Sequence, residues 1–454
     1  ATADAAAAVL AAGGSAVDAV VAAGFAACVA EPGLTSPAGG GFLQVREPDG
    51  TTTLLDFFVD APGLGRDAAL PRPQLRAVLV RFAGTEQPFA VGAASVAVPG
   101  CLAGWTTAHA RWGRLALPEV LAPARGLAID GVDLEPAAAQ VLGLIADVLT
   151  DTPEGAALYA PAGRPLAAGE HFANPDLAPF LDLVASGARG WDDPRLAPAL
   201  LEVAGGGLGL LTEADLAAGG ARTRTPLTVR LPQGTLTTNP PPSFGGSVVA
   251  AALARLGSLS DPASWTWAQL VAALVAATRE VKDAGVRKGT THVSVVDAEG
   301  LVASMTTSNG SCSGVLVPGL GVELNNMLGE SDLHPLGAEH AEPGTRIGSM
   351  MAPSLWAADD GAVTALGSGG SERIRSALLE VVAAHALSGH PLEVAVGAPR
   401  VHPDDDGVLQ VEPGFDAAGL SALREAGPVN LWDAADLYFG GVHAVRRDRD
   451  GAVT

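Results

Sequence analysis

Residues 16–30, AVDAVVAAGFAACVA, constrain the fold more than any other stretch. They carry one charge, Asp18, and are apolar all the way round a helix. A helix with no polar face has nowhere to sit except between other layers of structure. Ser15 stands where an N-cap belongs. The Ala-rich run 3–12, closed by Gly13-Gly14, predicts a second buried helix just before it. The chain therefore needs enough material to cover these helices on every side. With 454 residues, 48% of them apolar and 17% charged, it has that material, and disorder is excluded as a general description.

Further elements follow from local signals. Gly39-Gly40-Gly41 leads into FLQVRE, and TTTLLDFFV follows a Pro-Asp-Gly turn, which predicts a hairpin. Residues 116–148 read as helix in two pieces, and Thr212 begins a short helix. TPLTVRL and TLTTN read as strands on either side of Pro232-Gln233-Gly234, and 263–286 as one helix. From Gly289 the pattern becomes strand-rich, with THVSVVDAEG and LVASMTTSN paired around Ala298-Glu299-Gly300. Strands continue to about 370, a helix follows over 372–388, and a final strand pair is expected. Neither a repeat nor a clean domain boundary is visible, so a layered arrangement of sheets covered by helices is the natural architecture.

Charge and cysteine content exclude several classes. Lys and Arg total 27 against 49 Asp and Glu, a net charge of −22 that repels phosphate backbones and anionic lipid, so neither nucleic acid nor membrane is an expected partner. Cys28, Cys101 and Cys312 lack metal or disulfide spacing, HExxH is missing, and no metal or cofactor is expected. The first residues lack a basic n-region and no apolar run reaches 18 residues, which favours a cytoplasmic location unless an export signal has been trimmed away.

Lys288-Gly289-Thr290-Thr291-His292 is the stretch with chemical content. A hydroxyl is a weak nucleophile until a base takes its proton, and a chain-terminal threonine carries that base in its own α-amine. Inside a chain, such a terminus arises if the Thr290 hydroxyl attacks the Gly289 carbonyl and water cleaves the resulting ester. Glycine leaves that carbonyl open. The plain alternative is a β-branched strand entry.

Several motifs, in order, resemble the gamma-glutamyltransferase family of N-terminal-nucleophile (Ntn) hydrolases: GGSAVDAVVAAGFAACVAEP with GGGF, SVAVPGCLAGW, NPPPSFGGSVV, TTHVSVVDAEG, ELNNM, SMMAPS and GSGGSERI. The resemblance implies an α+β fold, a four-layer αββα sandwich. It also implies maturation into fragments 1–289 and 290–454, intertwined in one domain and acting on a small-molecule substrate, with a homodimer left open. It makes Thr290 the nucleophile, Ser308 the hydroxyl beside the new amine, and Gly369 and Gly370 the donors to the oxyanion. Ser349 matches one of two serines that hold the substrate carboxylate; Gly348 replaces the other. Glu330, with Asp332 close behind, matches the acid that meets the substrate amine, and Asn309 stands beside Gly310, where the family has a carboxylate-binding asparagine. Phe58 replaces the arginine that grips the glutamyl α-carboxylate, Phe244 replaces a serine, and the lid segment 333–345 is short. The implied activity is an acyl-enzyme reaction on an amide with an altered glutamyl pocket. Two alternatives are hydrolytic carbon–carbon cleavage of the kind found in alkylproline biosynthesis, and an unprocessed, non-catalytic ligand-binding homologue.

Overall fold

The computed structural model describes residues 1–67, 69–82, 85–281, 290–330 and 340–454. Among these, ten strands form two five-stranded sheets. In chain order they are β1 (Gly40–Arg46), β2 (Thr52–Phe57), β3 (Arg222–Arg224), β4 (Leu227–Leu231), β5 (Gly234–Thr238), β6 (Thr291–Val296), β7 (Val302–Ser308), β8 (Ser354–Ala358), β9 (Val363–Gly369) and β10 (Gly441–Arg447). The first sheet has the order β6-β7-β1-β2-β3 and the second β10-β9-β8-β5-β4, with every neighbouring pair antiparallel. Each sheet takes strands from both sides of residue 289.

Helices α2 (Ala16–Ala30) and α3 (Cys101–Trp112) lie on the outer face of the first sheet, and α1 (Thr2–Ala11) and α4 (Leu117–Asp130) pack against α2, α1 burying only Ala5, Ala6 and Val9 where a buried helix was expected. Helices α5 (Phe244–Gly257), α6 (Trp267–Val281) and α7 (Arg373–Val382) form the outer layer beyond the second, α5 and α7 lying on its strands. The two sheets stack directly, β6 and β7 against β9 and β10. The fold is the expected αββα sandwich.

The apolar helix behaves as its sequence demands. Every residue of α2 from Ala16 to Ala27 is buried. Its start is held by a capping box: Ser15 Oγ accepts from the Asp18 N–H at 3.0 Å and Asp18 Oδ2 accepts from the Ser15 N–H at 2.9 Å. The same oxygen accepts from Arg114 N–H at 2.8 Å, so the one charge of α2 ties the helix to the entry of α4.

Some elements differ from expectation. The 116–148 region is three helical pieces, α4 with Pro136–Leu144 and Ala146–Leu149. The helix expected over 263–286 begins at Trp267, and its end beyond 281 lies outside the described residues. The helix after Arg373 continues as one π turn over Ala383–Leu387. The last strand, β10, pairs antiparallel with β9, and its end turns back to bridge Val453 across Arg447. Helix α5 has no expectation behind it, because Gly245-Gly246 and two adjacent valines argue against a helix locally; packing under β4 and β5 outweighs that propensity.

The space between the sheets changes character along the strands. At one end Val302, Leu355 and Ala365 pack with Val296, Val363 and Val445. Toward the other end the inner face turns polar: Gln44 Nε2 donates to the Pro353 carbonyl at 2.6 Å, and His292, Ser304 and Thr306 are buried there. The candidate site lies at this polar end.

Candidate active site

Thr290 immediately precedes β6. The register that pairs Thr291 with Thr307, carried one residue further, sets Thr290 opposite Ser308, the last residue of β7. Ser308 in turn pairs with Gly40 on β1. Across the sandwich, β9 ends at Gly369. A Cβ on Gly369 would lie 3.6 Å from Thr290 Cβ and closer still to the Thr290 carbonyl oxygen. Only glycine lets the two sheets approach this closely here. Gly370 has φ +113° and Ser371 φ +63°, a left-handed conformation that costs a non-glycine residue roughly 1–3 kcal/mol and clusters at functional sites. Thr290, Ser308, Gly369 and Gly370 are thus brought to one place. Gly289 lies outside the described residues, as do Asp332 and the lid residues 333–339.

Two supports of Thr290 were not singled out in the sequence. Thr291 Oγ1 donates to Glu31 Oε2 at 2.9 Å, and Glu31 Oε1 accepts from Thr2 Oγ1 at 2.6 Å, which ties the residue after Thr290 to the ends of α2 and α1. His292 points into the sandwich, with Nδ1 2.8 Å from Thr306 Oγ1 and Nε2 2.8 Å from Ser294 Oγ. Burial, and secondarily His443, holds its pKa well below the usual histidine range, so the ring is neutral. The His two residues after the candidate nucleophile was the available sequence signal, since strand alternation puts both on one face.

The loop after Ser308 is closely built. Ser308 Oγ accepts from the Gly310 N–H at 2.9 Å. Asn309 is fully buried, and its Nδ2 donates to the carbonyls of Glu323 and Leu324 at 3.3 and 3.2 Å, so its amide nitrogen is engaged within the loop. Glu330 Oε1 accepts from the Ser311 N–H at 3.0 Å. Gly310 has φ +66°, and a Cβ there would come within 2.8 Å of Glu330 Oε1 and nearer to Asn326 Oδ1. This loop has no room for a side chain at 310.

Phe58 directly follows β2, whose last residue pairs with Gly41, so it stands at the same end of the first sheet. Its ring is buried and stacks on Phe42, centroids 5.6 Å apart at 11°. Charges surround this stack on the chain: Asp56 meets Arg224 at 3.1 Å, Asp60 meets Arg222 at 2.9 Å, and Arg346 Nε lies 3.4 and 3.3 Å from Asp56 and Asp60. Burial lowers the Arg346 pKa and raises that of Asp60. Ser349 lies in the segment leading into β8, which starts opposite Leu366, so that segment is at the Gly369 end of the second sheet. Its Oγ accepts from the Met351 N–H at 3.1 Å.

Two clefts of about 510 and 980 Å³ lie elsewhere, lined by residues such as Trp265 with Glu380 and His385 with Arg446; neither contains a residue of this site. Among the described residues no cluster of three His, Cys, Asp or Glu could hold a metal, and no helix is long and apolar enough to cross a membrane.

Comparison with known proteins bears on the family and the fold. The sequence model of the family described as Gamma-glutamyltranspeptidase matches residues 2–281 and 261–454. The Acylase ACY 1 proenzyme of Pseudomonas sp. (strain SE83) is 32% identical, over 98% of this chain and 88% of its own length. The Glutathione hydrolase proenzyme of Bacillus subtilis (strain 168) is 27% identical, over 97% and 85%. The crystal structure of cephalosporin acylase from Bacillus halodurans shares the fold, with a TM-score of 0.81 and 22% identity over 100% of this chain and 91% of that one.

Proposed function

Because the chain belongs to the gamma-glutamyltranspeptidase family of Ntn hydrolases, we propose that it cuts itself between Gly289 and Thr290 and then uses Thr290 as the nucleophile of an amide acylase. In maturation, Thr290 Oγ attacks the Gly289 carbonyl carbon, the peptide C–N bond breaks to give an ester, and water hydrolyses the ester. The products are fragments 1–289 and 290–454, the second with a free α-amine. In turnover that amine takes the Thr290 hydroxyl proton as Oγ attacks the substrate carbonyl. The N–H groups at Gly369 and Gly370 receive the oxyanion, and the proton passes to the leaving amine. Water then cleaves the acyl-threonine ester. Ser308, opposite Thr290, steadies the amine.

The observation that carries this reading is the contact of Thr290 with Gly369 across the two sheets. For the substrate, Phe58 stands in place of a carboxylate-gripping arginine, and the guanidinium of Arg346 is turned to Asp56 and Asp60. A buried carboxylate without its cation is strongly disfavoured. Together with similarity to an acylase, this supports an amide whose acyl part lacks the γ-glutamyl α-carboxylate.

A denaturing gel and intact masses test the proposal. Wild type should give two fragments meeting at 289/290, and Thr290→Ala one intact, inactive chain. A persistent single band in wild type, or cleavage of Thr290→Ala at the same bond, would overturn it.

A further inference from the structure

Two of the replaced motif residues, Phe244 and Gly348, meet in the fold. The start of α5 is clamped to the segment before β8: the Ser349 carbonyl accepts from the Phe244 N–H at 2.7 Å and from Ser243 Oγ at 3.1 Å, and Ser243 Oγ is also 2.8 Å from the Met351 carbonyl. This clamp lays the Phe244 ring on Gly348. A Cβ on Gly348 would sit 2.9 Å from Phe244 Cζ, nearer still to Cε2, and 3.1 Å from the Pro242 carbonyl oxygen. Real Cβ atoms do not come this close, so a side chain at 348 would have to push the outer edge of the ring aside. The phenyl group therefore occupies the volume that a side chain at 348 would need.

Neither residue is fully buried, whereas Ser349 is. The ring packs on an apolar cluster that includes Phe42, Phe58, Ile347, Met350 and Met351. The same end of the sandwich that holds Gly369 thus offers an aromatic face where the motif would have hydroxyls. We propose that Phe244 and Gly348 act as one interlocked specificity element: the ring closes the carboxylate subsite and forms a wall of an acyl pocket for an uncharged apolar acyl group, aryl-acetyl or medium aliphatic. The proposal rests on Thr290 being the nucleophile. Aromatic faces bind such groups by area and by ring geometry. Because the two residues share one volume, a hydroxyl cannot return at 348 while the ring keeps its place.

The test uses the full-length protein in four forms: wild type, Gly348→Ser, Phe244→Ser and the double variant. Each is assayed for kcat/KM on phenylacetyl and γ-glutamyl p-nitroanilide, with fragments followed on the same samples. Wild type should prefer the phenylacetyl substrate at least tenfold. Gly348→Ser alone should lose about tenfold or more on it, because the ring is driven from its place. Adding Phe244→Ser should recover folding, shown by melting, and raise γ-glutamyl turnover above that of either single variant. A Phe244→Ala variant, free of any clash, should lose about tenfold on phenylacetyl, the size of one lost aromatic contact. Independent, multiplicative effects of the two serines, or a Phe244→Ala enzyme with unchanged preference, would overturn the interlock. Absence of fragments, or no anilide turnover in wild type, would instead defeat the reading of Thr290.

Discussion

Gly367→Ala probes the spacing of the sandwich. Gly367 on β9 faces His292 on β6, and a Cβ there would lie 2.7 Å from His292 Cγ and nearer to Nδ1 and Cε1. The ring has no easy retreat. It is buried, neutral, and held at both nitrogens by Thr306 and Ser294 at 2.8 Å. Moving it breaks at least one buried hydrogen bond, worth about 1–3 kcal/mol when a group is left unsatisfied. Overpacking adds about 1–3 kcal/mol. The expected loss is about 2–6 kcal/mol, a large part of the roughly 5–15 kcal/mol that holds an ordinary domain together. Urea unfolding near pH 8, where histidine is neutral in both states, reads this directly, in a Thr290→Ala background expected to remain one chain. Combining the change with His292→Ala should cost less than the sum of the two, because the clash leaves with the ring. In the Thr290 enzyme, processing should fall as well, since the wedge lies two residues from Thr290 on one strand and from Gly369 on the other. If Gly367→Ala unfolds within about 0.5 kcal/mol of its parent, the inter-sheet contact is not as tight as argued.

Three further outcomes are expected. Ser308→Ala should lower kcat on a phenylacetyl anilide about 10²-fold, the scale of losing one positioned polar group, while Ser308→Thr keeps most activity; equal loss in both variants would speak against a hydroxyl role. Asp18→Ala strips the acceptor from the N–H groups of Ser15, Arg114 and Leu115 and should cost roughly 3 kcal/mol or more in urea unfolding, with Asp18→Asn milder. Burial raises the pKa of Glu323 well above its ordinary value. The folded state therefore holds a proton that the unfolded state releases above about pH 4.3. Its stabilising contribution is complete below that pH and fades as pH rises toward the folded value. Relative to Glu323→Gln, wild type should lose about 1.4 kcal/mol per pH unit across that window, and parallel pH profiles of the two would refute this.

Much of the site could be read along the chain because its chemistry is short-range in sequence. Gly-Thr before a strand, a hydroxyl at the end of the partner strand and a glycine pair before a helix are all local patterns. The hairpin β6–β7 sets Thr290 opposite Ser308 through a turn of a few residues. Helix α2 was legible for a similar reason, since fifteen residues without a polar face leave one environment open. Helix α5 was not, because its formation depends on a clamp to residues 349–351, about a hundred positions away.

By itself the sequence determined the order of elements, the need for covering layers and the chemical identity of the candidate nucleophile. Only the tertiary structure decided what stands against what. Thr290 meets Gly369, His292 meets Gly367, and Phe244 fills the space above Gly348. The first two contacts join strands that share no hydrogen-bonded ladder, and their spacing is set by how two whole sheets and their helices pack. Close packing makes that spacing a property of all the intervening side chains together, which no local window of sequence contains.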